Sequence, residues 1–70
     1  MNLSRVKASS LRHGDRVVLI SADPDAQPGC IAREVRRVSR TDPEYIMIRL
    51  EGEEALHAYS QGVYAWRVNE

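Results

Sequence analysis

Leu11-Arg12-His13-Gly14-Asp15-Arg16-Val17-Val18-Leu19-Ile20 is the stretch on which the fold turns. A short polar segment ends in Gly-Asp and runs directly into four aliphatic residues. Glycine reaches the positive φ that a tight turn demands, and an aspartate carboxylate bonds back to nearby amides. Three of the four aliphatics are β-branched, which favours an extended, well-buried strand. A strand over residues 16–21 is therefore expected, entered through a fixed corner at Gly14-Asp15.

Upstream of this corner, residues 3–7 suit a short opening strand. Ala8-Ser9-Ser10-Leu11 suits a turn or a single 3₁₀ turn. Downstream, Ala22-Asp23-Pro24-Asp25-Ala26-Gln27-Pro28-Gly29 packs two prolines, two aspartates and a glycine into eight residues. That composition predicts an irregular, exposed loop through which neither helix nor strand runs.

From Cys30 to Arg40, apolar and charged residues are interleaved at Ile31, Arg33, Val35 and Arg37, and a strand is expected. Val38 falls out of phase with Val35, so a β-bulge near Arg36 and Arg37 is expected to restore the inward direction and add a bend. A helix is the rival reading, because Ile31, Val35 and Val38 also fit i, i+4, i+7. Gly29 before the segment and Thr41-Asp42-Pro43 after it favour the strand.

Thr41-Asp42-Pro43-Glu44 predicts the next turn. In Tyr45-Ile46-Met47-Ile48-Arg49-Leu50 the alternation is clean, with Ile46, Ile48 and Leu50 on one face and Tyr45 and Met47 on the other. Glu51-Gly52-Glu53-Glu54 reverses the chain and residues 55–59 return. Ser60-Gln61-Gly62 is a short break, and residues 63–68 form the last strand, with Tyr64, Trp66 and Val68 opposite Val63 and Ala65. Short strands spaced by roughly 8 to 12 residues indicate an all-β barrel or sandwich.

Size and charge narrow the classes further. Seventy residues make one domain, which buries only about 60% of its unfolded surface. With Cys30 as the single cysteine, no intrachain disulfide can form, and packing or a partner subunit must hold the fold. A lone cysteine fits a reducing cytosol, no apolar leader segment opens the chain, and no stretch nears the roughly 18 to 20 apolar residues that cross a bilayer. A cytoplasmic protein without membrane contact is expected. Residues 1–40 hold eight basic and four acidic side chains, residues 41–70 two and six, so halves of +4 and −4 cancel to zero. Interleaving of strands from both halves would offset much of that asymmetry.

Gly14-Asp15-Arg16-Val17-Val18-Leu19, a loop, and then Gly29-Cys30-Ile31 with Val35 resemble the KOW-type and related SH3-like barrels. Those open on a Gly-Asp-x-Val strand and place a glycine before a following apolar strand. The likeness extends over most of the chain and implies an all-β fold, a small SH3-like barrel of five to six antiparallel strands spanning residues 1–70. Two features depart from the KOW pattern: Asp23 and Asp25 stand where its first loop carries small or basic residues, and the total charge is neutral. The chain is also similar in style to short barrels encoded by phages of GC-rich actinobacteria, a likeness that carries over no functional residues.

Catalysis is not expected. His13, His57, Cys30 and Ser60 show no spacing of nucleophile, base and oxyanion donor, and a filled barrel leaves little room for a cleft. His13 and His57 are expected at the surface. Cys30 is expected to behave as a small buried apolar residue. No paired Cys or His spacing points to a metal, and no phosphate loop points to a nucleotide cofactor. No cofactor and no small-molecule substrate are indicated.

Binding is where the sequence has surplus. Val17 to Ile20 are apolar on both faces of one strand, more than so small a core needs, which is expected where a partner or a second copy covers the other surface. Tyr45, Met47, Tyr64 and Trp66 are expected to supply apolar contact area, and Arg33, Arg36, Arg37 and Arg40 to orient an acidic partner. The expected role is a non-catalytic protein-interaction module, an accessory protein of bacterial or phage origin. The alternative is a weak RNA- or DNA-binding barrel in which the same arginines contact phosphates and the aromatics stack on bases.

Overall fold

The structure, a computed structural model, describes residues 2–23 and 25–69. Its strands are β1 (Leu3–Lys7), β2 (Arg16–Ser21), β3 (Arg33–Ser39), β4 (Tyr45–Leu50), β5 (His57–Ser60) and β6 (Tyr64–Val68), with a 3₁₀ turn at Ala8–Ser10. They form one six-stranded antiparallel sheet in the order β1-β6-β2-β3-β4-β5. β1 and β5 end this order and are not paired with each other, so the sheet is open. Among the described residues no helix is long and apolar enough to cross a membrane.

The Gly14-Asp15 corner forms as its chemistry requires. Gly14 adopts φ +95°, and Asp15 Oδ2 accepts from the Arg12 amide at 2.9 Å while the Asp15 amide donates to the Arg12 carbonyl at 3.0 Å. The Gly14 amide donates to the Val35 carbonyl at 2.9 Å, and the Val35 amide donates to the Asp15 carbonyl at 2.7 Å. This exchange pins the turn against β3 and fixes where β2 starts.

Alternation then fills the core. Ile46, Ile48 and Leu50 are buried from β4, as are Val63 just before β6 and Ala65 within it, and they pack with Ala8, Leu11, Val17 and Val35 in one cluster. Val6, Ile20, Val38 and Tyr59 close against it. Two register shifts let a single sheet wrap this cluster. One lies between Val35 and Arg37, leaving Arg36 as the extra residue and Val38 opposite Ile48, which is the bulge expected from the phase of Val35 and Val38. The other lies between Val17 and Leu19. It makes Val17 and Ile20, rather than residues two apart, the inward pair of β2, and it leaves Leu19 beside Trp66 on the outer face.

Three expectations are corrected. The third strand runs from Arg33 to Ser39, so Cys30 and Ile31 lie outside it. β2 meets β3 only at Arg16↔Glu34 and Val17↔Arg33, and no ladder extends to residues 30–32. Residues two apart share a strand face, so Ile31, Arg33, Val35 and Arg37 could not have alternated in and out of a core. Cys30 is exposed instead of buried. The fifth strand starts at His57 rather than at residue 55, because Glu53 is drawn into the turn: its Oε1 accepts from the Leu50 amide at 2.8 Å and its carbonyl accepts from Arg49 at 3.2 Å. Of the expected loop at 22–29, Pro24 lies outside the described residues.

Candidate binding groove

Where the β2–β3 ladder ends, the two strands part. Residues 19–21 continue along β6 on one side and, among the described residues, meet no strand on the other. Pro28 has no amide hydrogen to offer a ladder, and Gly29 follows it. The chain therefore passes at a distance, and a groove of about 670 Å³ opens between residues 17–20 and residues 29–31, with Leu50, Tyr59 and Arg33 completing its lining. That volume lies within the usual range for ligand sites, about 300 to 1,000 Å³. The walls are largely aliphatic. Ile31, at 75% exposure, is the most exposed large apolar side chain among the described residues.

Charged groups act on two of the lining residues, Leu50 and Tyr59. Glu53 Oε2 lies 3.2 Å from His57 Nε2, and the same carboxylate holds the Leu50 amide. Burial pushes the Tyr59 hydroxyl above its ordinary pKa, the negative charge of Glu53 adds to that, and the positive charge of Arg33 opposes it. The phenol is thus within electrostatic reach of both. Among the described residues, the Arg33 guanidinium makes no hydrogen bond and no ion pair, although it stands beside an apolar groove.

No family model, curated protein or solved structure matches the chain.

Of the eight residues expected to bind, Arg33 borders this groove and the other seven do not. Tyr45 and Met47 stand on the outer face of β4, opposite inward Ile46 and Ile48, and Tyr64 and Trp66 stand on the outer face of β6; β2 and β3 separate these two strands in the sheet. Arg36 reaches Glu34 at 3.4 Å and Glu51 at 3.9 Å. Arg40 donates to the carbonyls of Ser9 and Leu11. Arg37 lies directly across from Arg49. Four arginines close in sequence thus have four different surroundings. His13 and His57 are exposed, and among the described residues no three His, Cys, Asp or Glu side chains gather as metal ligands would.

Tyr59, Leu50 and Ile31 are groove residues that sequence reasoning passed over. A usable signal was present in Pro28-Gly29, two residues before Ile31: a chain that cannot join a ladder leaves its next aliphatic side chain unpartnered.

Proposed function

We propose that this protein is a small SH3-like barrel acting as a non-catalytic protein-interaction module, an accessory protein of bacterial or phage origin working in the cytoplasm. The barrel reading draws support from the meander β2-β3-β4-β5, the return of β6 between β1 and β2, and two bulges bending one sheet around one core. The single cysteine favours a reducing compartment. The observation that carries the binding role is the apolar groove over Leu50 and Tyr59, flanked by Ile31 in solvent. Water-exposed aliphatic surface of this kind favours an apolar partner by the free energy of its burial.

The test is affinity capture from bacterial lysate with the wild-type protein and Ile31→Glu, each with and without nuclease. At 75% exposure Ile31 is replaceable without loss of fold. Protein capture that survives nuclease and is lost with Ile31→Glu supports the module. Capture that nuclease abolishes and salt weakens steeply overturns it.

A second reading, weak RNA or DNA binding, has a specific observation behind it. β1, β2 and β6 contain Arg5, Lys7, Arg16 and Arg67 and no carboxylate. On their outer face Arg5 pairs with Trp66 and Lys7 with Tyr64, and the Arg5 guanidinium lies 4.2 Å from the centre of the Tyr64 ring. Cations beside aromatic rings are the elements of a single-strand platform. The nuclease arm of the same experiment decides between the readings.

A further inference from the structure

We propose that the groove receives an extended peptide as an added strand on the open side of β2, with aliphatic side chains seated in the groove and an acidic side chain paired with Arg33. This rests on the reading of the groove as a protein-binding site and specifies the chemistry of the partner.

The backbone supplies the first argument. Leu19, Ile20 and Ser21 are laddered to β6 alone, with Val18 as the bulge residue before them, because pairing with β3 stops at Val17↔Arg33. An edge strand presents unpaired amide and carbonyl groups to any chain that comes alongside. Proteins blunt such edges with charge or proline, and the edge of β1 carries Arg5 and Lys7 in this way. Val18, Leu19, Ile20 and Ser21 carry neither. This edge is open, uncharged and beside a groove.

Side-chain chemistry then selects the occupant. In strand addition the main chain gives affinity and pockets for alternate side chains give specificity. Val18, Ile20, Ile31 and Leu50 offer an aliphatic pocket. Arg33 stands at the end of the broken ladder with no ion pair or hydrogen bond of its own among the described residues. Glu53, the carboxylate that reaches Tyr59, is already engaged by the Leu50 amide and His57. A carboxylate on the incoming strand would complete Arg33 in a charge-assisted bond. A basic peptide would leave it unpaired and repelled.

The experiment is selection of a randomised heptapeptide library on the wild-type protein and on Arg33→Glu. Selected peptides are titrated, their backbone-N-methylated forms are titrated beside them, and amide exchange is measured by NMR. Wild-type protein is expected to enrich alternating aliphatic peptides with Asp or Glu at a fixed spacing. Arg33→Glu is expected to weaken those peptides about tenfold or more. N-methylation at alternate amides is expected to abolish binding, and bound peptide to slow exchange of the outward amides among residues 18–21. Binding indifferent to Arg33→Glu or to N-methylation overturns the proposal, as does a peptide-free dimer through β2 seen by sedimentation. If no peptide is enriched while lysate capture still depends on Ile31, strand addition falls and the interaction module stands. If capture is also indifferent to Ile31→Glu, both fall.

Discussion

Arg40 Nε donates to the Ser9 carbonyl at 3.1 Å, and the same guanidinium also donates to the Leu11 carbonyl. The end of β3 is thereby tied to the 3₁₀ turn that follows β1, across some thirty residues of chain. Leu11 is fully buried, so this clamp holds a core residue's backbone in place. Arg40→Ala is expected to lower the unfolding free energy by about 1 to 2 kcal/mol, the scale of a partly exposed charge-assisted bond. Arg40→Lys is expected to recover only part, since an ammonium lacks the fork that serves two acceptors. Urea unfolding midpoints at constant slope measure both, and an unchanged midpoint for the alanine variant would show that the clamp contributes nothing.

Arg37 has the opposite standing. It lies directly across from Arg49 on the outer face of β3 and β4, and like charges in that position oppose pairing. Arg37→Glu is expected to raise stability by roughly 0.2 to 1 kcal/mol at low salt. The gain is expected to shrink in high salt, where exposed charges are screened. Urea titrations of both proteins at two ionic strengths read this directly. A destabilised variant would mean that Arg37 has a partner that its register does not reveal.

These contrasts mark what local sequence carries and what it does not. The Gly14-Asp15 corner, the alternation of β4 and the bulge at Arg36 depend on residues a few positions apart, and each formed where its side-chain chemistry requires. The second bulge, beside Val18, was hidden in four consecutive aliphatics, which fit either phase. The arginines between 33 and 40 read as one cluster, yet their surroundings are set by Glu51, Ser9 and Leu11, which only the tertiary fold brings near. The groove exists because a ladder stops after two pairs. Where two strands stop pairing is decided by the loop that joins them and by their other neighbours, and neither is written in the strand itself.

Gly14 offers a clean separation of backbone from packing. A Cβ there would meet nothing within 4 Å, but φ is +95°. Gly14→Ala is therefore expected to cost about 1 to 2 kcal/mol through conformation alone, with Gly14→Asn costing less because asparagine tolerates positive φ better. Gly29 also has open space around it and no positive φ, so Gly29→Ala is expected to be neutral or slightly stabilising by restricting the unfolded chain. Thermal melts of the three variants decide the order. An equal cost at both glycines would remove the φ argument.

Tyr59 makes stability depend on alkaline pH. Burial, aided by Glu53 and opposed by Arg33, raises its pKa above the model-compound value of 10.0. The unfolded chain then releases the phenolic proton at lower pH than the folded chain does. Folded protein binds more protons over that window, so stability falls as pH rises. Below about pH 10 both states hold the proton and the contribution is complete; above it the contribution is lost progressively until the folded-state pKa is passed. Tyr59→Phe keeps the ring against the core and removes the titration. Its stability is expected to decline less than that of the wild type as pH rises above about 10. Arg33→Ala removes the opposing charge and is expected to shift the tyrosinate absorbance transition of Tyr59 to still higher pH. A transition that does not move would place Arg33 too far from the phenol to act on it.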